Sequence, residues 1–160
     1  MGVITYTDEY TSTIPPARLF KALVIDAHIL IPKLLPHAVK SIEIIQGDGG
    51  AGSIRQITFA EGSQFSTVKN RIDELNERTY SYKYTVIEGD ALADKLELIV
   101  HEVQFEATSE GGSKNKMTTK YHTKDDVVIK EEEIKAGKEK VLGMYKVVEG
   151  YLLQNPDAYA

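Results

Sequence analysis

The chain has 160 residues, no cysteine and a formal net charge of −5, with a pI near 5.4. A length of this order fits one domain that buries roughly 70% of its unfolded surface, and the missing thiols exclude disulfides, thiolate metal sites and a cysteine nucleophile. The acidic balance without a dense Lys/Arg cluster argues against nucleic acid, and no apolar run reaches the ~20 residues of a membrane helix.

The opening MGVITYTDEY has neither the basic nor the apolar region of a secretory signal, and Tyr6 stands where a myristoylation motif needs Ser or Thr. The expectation is a cytoplasmic monomer, one domain over residues 1–160, with no cofactor, no nucleic-acid partner and no membrane partner.

Residues 3–11 are rich in Thr, Tyr and β-branched types and read as a strand. In STIPPARLFKALV, Ser12 or Thr13 can cap a helix, prolines suit its first turn, and Leu19, Phe20 and Leu23 form an apolar side. Asp26 reads as the cap of a second short helix, which Pro32 and Pro36 limit to a couple of turns. From residue 38 the pattern becomes strands: AVKSIEIIQ, SIRQITF, QFSTVKNRI, TYSYKYTVI, KLELIVHEVQF and KNKMTTKYHT, joined by DELNER, EGDALAD and SEGGS. Tyr80, Tyr82, Tyr84 and Val86 share one face of such a strand and Ser81, Lys83 and Thr85 the other, as in an antiparallel meander with one face inward. The chain then switches to helical spacing at Ile134, Val141, Tyr145, Val148 and Leu152. Glu131, Glu132 and Glu133 suit the first turn of this helix, and Asn155-Pro156 ends it. A helix of roughly 26 residues would be about 39 Å long and could lie across a whole seven-stranded sheet.

Gly47, Gly49 and Gly52 fit G-x-G-x-x-G, the phosphate-cradling spacing. In dinucleotide folds, however, the glycines open a helix, whereas SIRQITF alternates as a strand. Kinases place such a loop between strands, yet the kinase catalytic and metal-binding motifs are absent. The loop, Gly50 included, therefore reads as a structural hairpin turn needing positive φ at several residues, with a weak anion nest of backbone amides as the remaining functional reading.

Several long motifs carry a resemblance: IPPARLFKA, GDGGAGSIRQITFAEGS, YTVIEGDALADKLE, YHTKDDVVIKEEEIKAGKEK and VVEGYLLQNPDAYA. Together they span essentially the whole chain and resemble the class-ten pathogenesis-related proteins of plants, the family of the major birch pollen allergen and its fruit homologues. The resemblance implies an α+β helix-grip fold: a seven-stranded antiparallel sheet wrapped around a long C-terminal helix, two short helices in a V, and an internal apolar cavity. It further implies an intracellular, stress-induced allergen that binds small amphipathic plant metabolites such as flavonoids, cytokinins, steroids or abscisic-acid-like compounds. Two departures stand out. DAHI, with His28 and Ile29, replaces the DADN or DGDN of many relatives, and IVHE puts His101 where relatives often have a tyrosine.

Strand parity then names a wall. Arg55, Ile57 and Phe59 share a face, as do Val68 and Asn70, Tyr82, Tyr84 and Val86, and Met117 and Tyr121; the helix adds Val141, Tyr145 and Val148. His101 lies on a face with Ile99, Val103 and Phe105, where a neutral imidazole could bond a ligand or simply Tyr82 or Tyr84. Arg55 could hold an acidic ligand group or pair with a carboxylate, and Asn70 could anchor a polar group. The wall is apolar with sparse polar groups, as small-molecule pockets are. His28, His37, His101 and His122 show no chelating spacing, so no metal is expected. Enzymes on the same fold, norcoclaurine-synthase-like or ribonuclease, form the alternative. An inward lysine-acid-tyrosine set for the first, or a His/His or His/Glu pair for the second, is not evident in the residues.

Overall fold

The computed structural model describes residues 2–62, 66–92, 95–124, 127 and 129–159. Strand β1 (Gly2–Ser12) alternates as its sequence predicts: Ile4, Tyr6, Asp8 and Tyr10 are half-buried while their neighbours are exposed. Helix α1 (Pro16–Phe20) continues into a π-helical turn over Lys21–Ile25, and α2 (Ala27–Leu34) follows. The expected side-chain caps do not form. Pro15 occupies the first cap position, the Ser12 hydroxyl accepts from the Ile14 amide instead, and Asp26 offers α2 its backbone carbonyl and not its carboxylate. Proline at the helix start explains the first case, because its fixed φ sets the entry geometry and it needs no donor satisfied.

Six strands come next: β2 (Val39–Gln46), β3 (Ile54–Phe59), β4 (Thr67–Asn76), β5 (Ser81–Gly89), β6 (Leu96–Ala107) and β7 (Ser113–Thr123), before the 24-residue α3 (Glu131–Gln154). The sheet has seven strands in the order β1-β7-β6-β5-β4-β3-β2, all antiparallel. The α+β helix-grip expectation holds.

Two strand limits differ from the sequence reading. β4 runs on through Asn76, because a register shift between Ile72 and Glu74 lets the polar DELN segment keep pairing with β5. The first residues assigned to this strand, Gln64 and Phe65, lie outside the described residues. Tyr80, expected on the strand with Tyr82 and Tyr84, precedes β5 at φ 55° and packs its ring on Phe20 at 5.7 Å. Periodicity could not show this, because a single left-handed residue breaks the alternation.

The apolar interior is divided. One cluster joins α1, α3 and mid-sheet through Leu19, Phe20, Ile72, Phe105, Val148 and Leu152; a second joins Val68, Val86, Leu96, Ile99 and Ile134; a third fixes α2 on β2 through Ile31, Leu35 and Val39. The most deeply buried members, such as Leu19, Val148 and Leu152 at 0% exposure, are positions where truncation to alanine costs about 2–5 kcal/mol.

Candidate functional site

The concave face of the sheet opposite α3 gathers most of the wall. The register places Tyr84 beside His101 and His101 beside Thr119, which in turn faces Tyr6 across β1. A second row runs from Tyr82 through Val103 and Met117 to Asp8, and a third brings Val86 beside Ile99 and Asn70, with Arg55 opposite Asn70. Ile57 and Val68 pair next along β3 and β4, and Phe59 packs with them at the ends of the second and third clusters. All of these side chains come from alternate positions, so the pleat alone aims them at the helix.

The centre of this surface is aromatic. Tyr82 and Tyr84 lie 5.0 Å apart, Tyr84 stacks on the His101 ring at 4.7 Å and 28°, and Tyr121 meets Tyr6 edge-on at 6.3 Å. His101 binds neither tyrosine hydroxyl: its Nδ1 lies 3.1 Å from the Thr119 hydroxyl. Desolvation lowers the His101 pKa from 6.5 to about 4, so the ring is neutral near pH 7. Desolvation first, then the charges of neighbouring phenols, pushes the Tyr84 pKa far up.

These rings are strongly desolvated, yet Tyr84, His101, Ile57, Phe59 and Tyr121 all keep some accessible surface. The same holds on the helix. Ile134, Tyr145 and Val148 are buried, whereas Val141 on the same stripe keeps accessible surface and joins none of the three buried clusters. Two hollows of about 370 Å³ and about 500 Å³ lie elsewhere, the first along charged residues of the sheet such as Lys83, Glu102 and Lys116, the second between α1 and the C-terminal tail.

Polar atoms in the wall are under-used. Arg55 is 5% exposed, both terminal nitrogens donate only to the Val24 carbonyl at 3.4 Å, and Nε has no partner. It forms no ion pair among the described residues, so the expected carboxylate alternative drops out. Its charge lies close enough to Tyr82 to oppose the upward shift that burial gives that phenol. Asn70 Oδ1, 8% exposed as a residue, is also unpartnered. At the far end Tyr145 stacks on Tyr10 at 5.5 Å, and its hydroxyl faces Ser12 without completing a hydrogen bond.

The sequence reading missed Thr119, Tyr6 and Asp8 on this face and Lys138 on the facing helix. Thr119, the His101 partner, sits between Met117 and Tyr121 in strand parity and could have been found there. Asp8 pairs with Lys138 at 3.3 Å, and Lys138 lies 4.6 Å above the Tyr6 ring, a clasp between β1 and α3. Even-numbered β1 positions signalled Asp8, but a carboxylate on an inward face looks like an error of parity until its lysine is seen.

The glycine loop does not share in this site. Gly47, Gly49 and Gly52 take φ of 89°, 98° and 88°. The amides of Gly49, Gly50 and Gly52 are bound by Ser53 Oγ, Asp48 Oδ1 and the Ile72 carbonyl. Those three donors are satisfied within the chain, which counts against the anion-nest reading. No group of three His, Asp or Glu side chains among the described residues could hold a metal, and no described helix is long and apolar enough to cross a membrane.

Known proteins share both the sequence and this architecture. Residues 1–155 match the Pathogenesis-related protein Bet v 1 family. The chain is 57% identical to the major allergen Pru ar 1 of Prunus armeniaca over 99% of both chains, and equally to the major strawberry allergen Fra a 1.05 of Fragaria ananassa, again over 99% of each. The crystal structure of Ara h 8.0201 superposes with a TM-score of 0.88 at 42% identity, covering 96% of this chain and 100% of that one. A norcoclaurine synthase from Thalictrum flavum, in complex with dopamine and hydroxybenzaldehyde, shares the fold at a TM-score of 0.75 but only 21% identity, over 96% of this chain and 88% of that one. With the allergens matched end to end and the synthase in fold alone, the chain belongs to the pathogenesis-related protein Bet v 1 family.

Proposed function

We propose that this protein is a non-catalytic plant defence or stress protein of the cytoplasm, which binds small amphipathic aromatic metabolites between α3 and the concave sheet face. One observation supports the reading: Tyr84, His101 and Tyr121 are desolvated yet, like Val141 on the facing helix, keep accessible surface, which we read as space between helix and sheet. Apolar burial against Phe59, Val68, Val86 and Met117 supplies most of the affinity at about 25 cal/mol per Å². Arg55, Asn70, His101 and the tyrosine hydroxyls select orientation. Affinities of order micromolar, about −8 kcal/mol, are expected.

Lys138, Asp8 and Tyr6 form the one lysine-acid-tyrosine set on the inner side among the described ion pairs, which favours a condensation enzyme as the second reading. The 3.3 Å ion pair to Asp8 and the contact with the Tyr6 ring commit the Lys138 amine to joining β1 and α3, whereas an amine catalyst must be free to meet its substrate. Binding is therefore preferred.

A titration with a polarity-sensitive dye, followed by displacement with a flavonoid, separates the readings. Wild type should show saturable emission that Tyr84→Trp and Val141→Trp reduce by filling the space. A folded protein with no saturable signal would show the interior to be closed. Imine trapping at Lys138 by borohydride and an aldehyde would favour the enzyme.

A further inference from the structure

Outside the interior, a hollow of about 500 Å³ is lined by Ala17, Phe20, Lys21, Ile25, Asp26, Glu77, Tyr80 and Tyr159. Its size lies within the range of small-ligand sites. The two non-glycine residues with positive φ among the described ones are Tyr80 at 55° and Tyr159 at 58°, and both line this same hollow. A side-chain-bearing residue in that region is strained by order 1 kcal/mol or more and persists only where its surroundings hold it.

Here they do. The Tyr80 carbonyl is fixed by the Phe105 amide at 3.0 Å. Tyr159 is held from α1: Arg18 Nε donates to the Ala158 carbonyl at 2.7 Å, and Nη2 donates to the carbonyls of Leu152 and Asn155, both at 2.6 Å. Phe20, which forms the wall behind, is itself braced edge-on by Phe105 at 5.9 Å. Three aromatic rings are thus fixed around one recess before anything enters it.

Charge decides what would enter. Asp26 and Glu77 border the recess against a single cation, Lys21. The Asp26 carboxylate, after burial, is the next cause raising the Tyr159 pKa, so the anion and the ring lie close together. Aromatic faces carry negative potential and carboxylates add to it, a combination that attracts an organic ammonium and gains little from a neutral or anionic ligand.

We propose that this recess is a second binding site, an aromatic cage for small organic ammonium ions, separate from the interior beneath the helix.

Benzyltrimethylammonium and its uncharged isostere neopentylbenzene test the proposal on the full chain, followed by backbone amide chemical shifts. The cation should give saturable shifts at residues 17–26, 77–80 and 159, with affinity about tenfold above the isostere. Glu77→Gln, an exposed substitution that leaves packing intact, should weaken the cation about threefold and the isostere not at all. Tyr159→Leu should weaken it about tenfold while a dye in the interior binds as before. Equal affinity for the two probes, no saturable shift at millimolar cation, or shifts centred on Tyr84, His101 and Tyr121 would each overturn it.

Discussion

Replacing Arg55 with methionine separates a structural cation from one kept for a ligand. The guanidinium has five N–H donors, yet only its two terminal nitrogens reach a partner, a shared carbonyl at 3.4 Å, and no carboxylate pairs with it among the described residues. A buried charge in that condition is a cost to folding, and apolar replacement of buried ionic groups can stabilise by about 1–4 kcal/mol. Methionine keeps the length of the stem and its packing. Taking about 2 kcal/mol, Tm should rise by about 4–8 °C for a chain of this size. The same change should weaken a carboxylate-bearing ligand by roughly 10- to 150-fold, the worth of a charge-assisted hydrogen bond of about 1.5–3 kcal/mol, and a neutral flavonoid by little. Differential scanning calorimetry and isothermal titration of both ligands give the two readouts. A fall in Tm, or equal loss of acidic and neutral ligands, would refute the reasoning, since Arg55 would then be holding the fold.

The His101 pKa of about 4 lies below the 6.5 of an unfolded histidine, so the unfolded chain takes up this proton first and stability falls as pH drops from about 6.5 to 4. The loss attributable to His101 is at most about 3 kcal/mol, and urea denaturation at pH 7 and pH 4.5 should show His101→Gln to be less pH-sensitive than wild type. Gly47→Ala should cost more than Gly52→Ala: both have positive φ, but an added Cβ meets Ser53 Oγ at Gly47 and nothing within 4 Å at Gly52. Losses of about 3 and about 1 kcal/mol are expected in chemical denaturation, with ATP and NAD binding absent from wild type and variants alike. Arg18→Ala removes three charge-assisted bonds to the end of the chain, and should cost about 3 kcal/mol and speed amide exchange at residues 155–159.

The element order was legible because each segment speaks in one period. Alternation in 114–123 and the seven-four-three-four spacing of α3 leave no other assignment. Parity also placed these side chains on one face of the sheet, since one face of every strand must turn to the helix. What parity could not supply was partnership across the sheet. His101 and Thr119 are 18 residues apart in sequence, and nothing local says which hydroxyl the imidazole takes. Asp8 and Lys138 meet only because α3 crosses β1. Tyr80 escaped for a different reason: tyrosine carries no signal of a left-handed backbone, and the turn that needs it is pinned from Phe105, on another strand. For Arg55 the residues alone left an ion pair open, and only the full set of neighbours shows that none forms among the described residues.

The pairing of β1 with β7 sets the tempo of synthesis. Gly2 finds Thr123 and Ser12 finds Ser113, so the first strand made is among the last to be satisfied. At about 5–20 residues per second the ribosome leaves β1 without its neighbour for roughly 5–25 s. During that interval GVITYTDEYTS, in which seven of eleven residues are β-branched or aromatic, is an open edge able to pair with other chains. Stalled nascent chains ending before Ser113 should accordingly leave the β1 amides unprotected against hydrogen exchange, and extension through Thr123 should protect them together. Birth of this protein is thus governed by its two most distant strands, and any holding factor acting on it has its moment before β7 emerges.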